Sequence, residues 1–193
     1  MMDASETERL RQEAILQAAM AVMCQYGFRR TSMEDIARAA GMSRPALYQH
    51  FRNKEDIARR MVEVYFETAA QDVATALTGE GSVPELLARA FRAKAGPLVQ
   101  QLLESPHGAE LLDQKHSHAA PEIEAGTARL TEIFAAWLQR EDTAGRVTLE
   151  GAAQEVAETL LNALNGIKKP PYDRFVAERT RLAQLLGRGL APR

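Results

Sequence analysis

The chain has little of what many function classes require. Its 193 residues include a single cysteine, Cys24, which excludes an internal disulfide framework and fits a reducing cytoplasm. Long hydrophobic runs are missing as well. The uncharged stretch that includes Met20 to Phe28, bounded by Glu13 and Arg29, is too short to cross a bilayer. The first residues, Met1-Met-Asp-Ala-Ser-Glu, are acidic and carry no apolar signal-peptide region, so a cytoplasmic protein without membrane attachment is expected. There is no cysteine pair, phosphate-cradling glycine loop or nucleophile elbow, and no strand signal, internal repeat or low-complexity tract. An all-α chain that is not an enzyme and needs no cofactor is the expectation. What is present is 46% hydrophobic residues, enough to bury a sizeable core.

An excess of positive charge is also missing, since the net charge is −2. Its distribution is uneven. Between Arg29 and Arg60 lie Arg29, Arg30, Arg38, Arg44, Arg52, Lys54, Arg59 and Arg60, against Glu34, Asp35, Glu55 and Asp56. That segment is net positive and the remainder correspondingly acidic. A modest positive face supports salt-dependent phosphate binding, while an acidic body resists indiscriminate binding. Arg59 and Arg60 are read as a solvated helix face.

The basic segment has an ordered grammar. Ser32 can cap a short helix with Asp35 at its third position, Ile36, Ala37 and Ala40 give that helix an apolar face, and Gly41 ends it. Ser43 can cap the next helix, with Pro45 in its first turn. Leu47 and Phe51, four apart, face the core. Arg44, Ala46, Tyr48, Gln49 and His50 fall on the opposite face, the side-chain set of a helix entering a major groove. Asn53 caps a further helix with Lys54 at its start, where a phosphate is favoured.

Residues from about Ile15 to Ile57 resemble the DNA-binding head of the TetR family of bacterial transcriptional regulators. The resemblance is carried by Ile15-Leu-Gln-Ala-Ala, Gly27-Phe28, Thr31-Ser32, Ile36-Ala37, Ala40-Gly41-Met42-Ser43 and above all Leu47-Tyr48-Gln49-His50-Phe51-Arg52-Asn53-Lys54-Glu55. Met23 stands where that family usually has Phe, and Arg44-Pro45 where it commonly has Lys-Gly. The resemblance implies about nine helices, a head over 1–53, a ligand-binding and dimerisation domain over 54–193, and a homodimer. It also implies that Tyr48 meets phosphate and that His50 is a phosphate or base-edge donor, a helix-capping histidine being the alternative. Arg44 and Gln49 are the expected base readers, since Arg forks to guanine and Gln to adenine; Thr31, Ser32 and Lys54 are expected to clamp the backbone, with Ser43, Pro45 and Ala46 completing the DNA-facing set.

Helical periodicity continues beyond the head. Helices are expected near Glu8 to Tyr26, Lys54 to Leu77, Val83 to Ala95, Pro97 to Glu104, Gly108 to His116, Pro121 to Arg140, Thr148 to Asn165 and Tyr172 to Arg188. Gly96-Pro97 either separates two helices or kinks one. Apolar stripes on the last two helices include Val156, Leu160 and Ala163 on one and Phe175, Leu182, Leu185 and Leu186 on the other; the resemblance implies that they pair with a second copy. A two-fold dimer would meet an inverted-repeat operator in double-stranded DNA, with half-sites about 34–36 Å or a multiple apart.

For an unidentified small-molecule effector, the candidate lining is Met61, Tyr65, Phe91, Lys94, Leu98, Leu102, His107, Leu111, His116, Phe134 and Trp137. Most aliphatic members of such a set are ordinary core. His116-Ser-His118, with His107 nearby, invites a metal reading, but residues two apart diverge on a helix, and a solvated loop is the preferred reading. The expected function is a ligand-responsive regulator, usually a repressor by resemblance. An activator of the same family and a helical metal-binding protein using His107, His116 and His118 are the rivals.

Overall fold

A computed structural model describes residues 4–112 and 118–192, and of residues 4 and 5 only the backbone. Among the described residues there are nine helices and no strand: α1 (Ala4–Tyr26), α2 (Met33–Ala39), α3 (Arg44–Tyr48), α4 (Lys54–Leu77), α5 (Val83–Glu104), α6 (Gly108–Leu111), α7 (Ala120–Thr143), α8 (Ala153–Gly166) and α9 (Tyr172–Gly189). The all-α expectation holds. None of the described helices is long and apolar enough to cross a membrane. The chain forms two compact units. One comprises the described residues of Met1–Val64 and Ser105–Ile123; the other comprises those of Tyr65–Glu104 and Glu124–Arg193.

In the first unit, α1, α2, α3 and the first turns of α4 enclose one apolar cluster. Ile15, Ala19 and Met23 from α1 meet Ile36 and Ala37 from α2, Leu47 from α3, Phe51, and Ile57 from α4. Met23 is 1% exposed, its thioether filling space in this core as an unbranched, adaptable side chain can. Cys24 is buried with its Sγ 3.7 Å from Met20 Sδ. Burial pushes its thiol pKa up, which suits a packing residue better than a redox-active thiolate.

In the second unit the largest fully buried side chains are Phe91, Phe134, Trp137 and Phe175. The α9 helix lies along α5, approaching closely where Gly187 passes the first turn of α5. The two segments expected on either side of Gly96 form one element, α5, broken by Gly96 at φ 57° and ψ 179°. Glycine adopts that backbone without a Cβ penalty, and Pro97 follows at a position where no helical N–H is needed. The helix expected from Thr148 begins later, at Ala153. Gly151 is at φ 117° and the Glu155 carboxylate accepts from the Ala152 N–H at 3.2 Å, so the chain turns into the helix there. Thr148 instead donates its N–H to the Leu190 carbonyl at 2.9 Å.

Candidate nucleic-acid interface

The helix-turn-helix is set by capping chemistry. The Ser32 N–H donates to Asp35 Oδ2 at 3.0 Å and the Asp35 N–H returns to Ser32 Oγ at 3.2 Å, a reciprocal box that satisfies two orphan donors of α2. The hydroxyl of Ser32 also reaches Asp35 Oδ2, and these bonds hold the carboxyl below the usual range. At the other end, the Gly41 N–H donates to the Arg38 carbonyl and the Met42 N–H to the Ala37 carbonyl, at 3.2 and 3.0 Å. That is the Schellman pattern. It requires Gly41 at φ 68°, a left-handed position reserved in practice for glycine. Ser43 then caps α3 by accepting from the Ala46 N–H at 3.3 Å.

One side chain anchors α3. Leu47 is 0% exposed, and the rest of the helix is thereby turned outward. Ser43, Arg44, Pro45, Tyr48 and Gln49 are exposed, while Ala46 and His50 are half-buried. Arg44 lies over Tyr48, its Cζ 5.5 Å from the ring centroid and Nη2 donating to the phenolic oxygen at 3.3 Å. The contact restricts a long cationic side chain while leaving most of its N–H donors outward. Such a surface can offer a guanidinium, an amide and a phenol to base edges and phosphates.

Three expected DNA contacts are engaged inside the head. Lys54 Nζ donates to the carbonyls of Phe28, Arg29 and Thr31 at 2.8, 3.2 and 2.9 Å. An ammonium has three N–H donors, so Lys54 knits the α1–α2 turn to the start of α4 instead of standing free for phosphate. Thr31 is 2% exposed and its hydroxyl donates to the Gly27 carbonyl at 2.8 Å. The Nδ1 of His50 is 2.9 Å from Glu8 Oε1, and its side chain is only 9% exposed. Sequence reasoning missed Glu8; its pairing with His50 spans 42 residues and leaves no local pattern.

The candidate effector lining is divided between the units. Met61 and Leu111 pack against the core of the first, which also contains His107; Tyr65, Phe91, Lys94, Leu98, Leu102, Phe134 and Trp137 belong to the second. The Tyr65 hydroxyl donates to the Lys94 carbonyl at 2.8 Å, and the rings of Phe91 and Phe134 are 6.2 Å apart. Trp137 is fully buried, and its Nε1 has no partner among the described residues. His116 lies outside the described residues. His107 pairs with Glu110 at 3.6 Å and the His118 ring packs on Phe28; among the described residues no three His, Cys, Asp or Glu side chains gather to hold a metal.

The expected dimer residues fare unevenly. Leu160 and Phe175 are 2% and 1% exposed, so both belong to the core of the chain itself, a correction to the reading of their stripes. Val156, Ala163, Leu182 and Leu186 are half-buried, and Leu185 is 61% exposed.

Residues 15–61 match the family model for bacterial regulatory proteins of the tetR family. The chain is similar to the HTH-type transcriptional repressor ComR of Escherichia coli, 32% identical over 102 residues that cover 52% of this chain and 48% of that protein. It is also similar to the HTH-type transcriptional regulator YezE of Bacillus subtilis, 30% identical over half of this chain and 56% of the relative. The matches thus span about half the length of these curated relatives. Among solved structures, the fatty acid degradation regulator FadR from Bacillus halodurans superposes with a TM-score of 0.75 at 19% identity, over 95% of this chain and 97% of that one. SmeT, the repressor of a Stenotrophomonas maltophilia multidrug efflux pump, does so with 0.72 at 20% identity, over 93% and 90%. At those identities the likeness establishes the fold.

Proposed function

We propose that this chain, a tetR-family bacterial regulatory protein through its head, is a ligand-responsive repressor that binds an inverted-repeat operator as a homodimer. The observation that carries the reading is α3: Leu47 is fixed in the core while Arg44, Tyr48 and Gln49 stand exposed on one short helix behind a capped turn. The repressor sense draws on the names of two similar proteins, ComR and SmeT. Residues 1–53 supply the reading head and 54–193 the ligand-binding and dimerisation domain. Leu185, with the half-buried Val156, Ala163, Leu182 and Leu186, supplies apolar surface for a second copy. A small molecule that binds one conformer better than another shifts the population away from the DNA-competent form.

Selection of binding sites from random duplex DNA tests this directly, with an Arg44→Ala, Tyr48→Ala double variant run in parallel at fixed salt. Enrichment of one inverted repeat by the wild type, lost in the variant, is expected. Absence of any enriched sequence at low salt overturns the reading. A promoter fusion carrying the selected site then separates repressor from activator by the sign of its response.

A further inference from the structure

Lys94 occupies a position where a lysine is costly. It follows Leu87, Ala90 and Phe91 along the apolar stripe of α5, and the residue is only 6% exposed. Its side chain does not snorkel to water as lysines on an apolar face usually do. Instead Nζ donates to Asn165 Oδ1 at 2.9 Å, near the end of α8. One amide oxygen satisfies one of three ammonium donors. Lys168, just beyond α8, is a second, half-buried lysine whose charge acts against that of Lys94; burial, and then this repulsion, bring the Lys94 pKa down to about 7. Neither lysine makes an ion pair with a carboxylate among the described residues.

Buried charges in proteins are normally paired, and replacing an unpaired one with an apolar side chain of similar size stabilises the fold. A buried lysine satisfied by a single amide, with the charge of a second lysine acting against it and no carboxylate paired to either among the described residues, favours a negative charge beside it. We infer that Lys94, Lys168 and Asn165 bind the oxyanion head, carboxylate or phosphate, of a small organic molecule. The anion would neutralise both cations and accept the donors that Asn165 leaves unused. Tyr65 positions the site through its 2.8 Å bond to the Lys94 carbonyl. This assigns a charge class to the effector and rests on the regulator reading only for the consequence of binding.

The test uses the full chain without DNA and three probes of equal chain length: decanoate, decyl phosphate and decanol. Calorimetric titration at pH 7 is expected to show binding of one or both anions and at least tenfold weaker binding of decanol. Lys94→Met and Lys168→Met, each checked for unchanged helix content, are expected to weaken the anion at least tenfold. The two anions discriminate a carboxylate from a phosphate site. Equal affinity for decanol, undiminished anion affinity in both variants, or no binding of any probe overturns the assignment. Repeating the titration with the selected operator separates the two proposals. An anion that binds through the lysines and leaves DNA occupancy unchanged upholds the site and removes its effector role; loss of anion binding together with release of DNA by an uncharged compound, equal in wild type and the Lys94→Met variant, upholds the regulator and removes the site.

Discussion

His50 Nδ1 stands 2.9 Å from Glu8 Oε1, fastening the chain two residues beyond α3 to an early turn of α1. The bond holds the Glu8 carboxyl below its ordinary range, with the His50 hydrogen bond as the largest cause. A folded-state carboxyl pKa below the unfolded value contributes stability above the unfolded pKa, and that contribution fades as pH falls through the folded one. His50→Ala is expected to raise the Glu8 pKa, read from the carboxyl carbon shift in an NMR titration. Because Glu8 is open to solvent, the midpoint of unfolding at pH 7 should move little, while operator affinity drops a few-fold with unchanged sequence preference. An unaltered Glu8 titration would remove the tether.

Lys54 and Arg44 separate stability from recognition. Lys54→Met leaves the carbonyls of Phe28, Arg29 and Thr31 without their donor, and unsatisfied groups of this kind cost about 1–3 kcal/mol. Denaturant unfolding of this variant should show a lower midpoint, with residual DNA binding keeping its sequence preference. Arg44 is exposed, and its guanidinium hydrogen-bonds to Tyr48 and lies over that ring. Arg44→Ala should leave the midpoint in place and reduce discrimination at one operator position on the order of tenfold to a hundredfold. Parallel affinity series on the selected site and its single-base variants would show the contrast; a flat loss across all sequences for Arg44→Ala would count against base readout.

The head was largely legible because its determinants are close in sequence. Ser32 and Asp35, Gly41, and Ser43 with Ala46 all act within one or two helical turns, and Leu47 and Phe51 show their inward face by spacing alone. Lys54 was not legible in the same way. Its helix-start position suggested phosphate, but its partners lie 23 to 26 residues earlier, on a turn whose path no local pattern reveals. Leu160 and Phe175 illustrate a second limit: an amphipathic stripe says which face is buried but not whether the covering surface is the same chain or another copy. Lys94 sat visibly on the stripe of Leu87, Ala90 and Phe91, whereas its partner Asn165 is 71 residues away.

Close backbone approach at Gly187 gives a prediction about the second unit. A Cβ built there would lie 2.6 Å from Pro84 Cα and 2.8 Å from Pro84 N. Backbone atoms of a proline cannot rotate away, so Gly187→Ala must push α9 off α5. Overpacking of this kind costs about 1–3 kcal/mol, and for a chain this long each kcal/mol lowers Tm by roughly 2–4 °C. Gly189→Ala is the control, since its Cβ would meet nothing within 4 Å. Equal Tm values for the two variants would show that α9 is not held at this distance in solution.

Lys94 also predicts a direction for proton linkage. Its pKa is brought down to about 7 from an ordinary 10.5, by burial first and the charge of Lys168 second; Lys168 and the Tyr65 phenol, itself pushed up to about 12 by burial, are the titratable groups identified beside it. Between these two values the unfolded chain holds a proton that the folded chain has released, so the Lys94 contribution to stability rises with pH from about 7 to about 10. Below that window the full penalty of a buried cation applies. Wild type should therefore gain stability relative to Lys94→Met as pH is raised from 7 to 9. An oxyanion beside the ammonium favours the charged form and reverses the shift, so binding of decanoate at pH 8 should take up a proton. Titrations in buffers of different ionisation enthalpy measure that uptake, which should disappear in Lys94→Met; equal uptake by both proteins would assign the proton to another group.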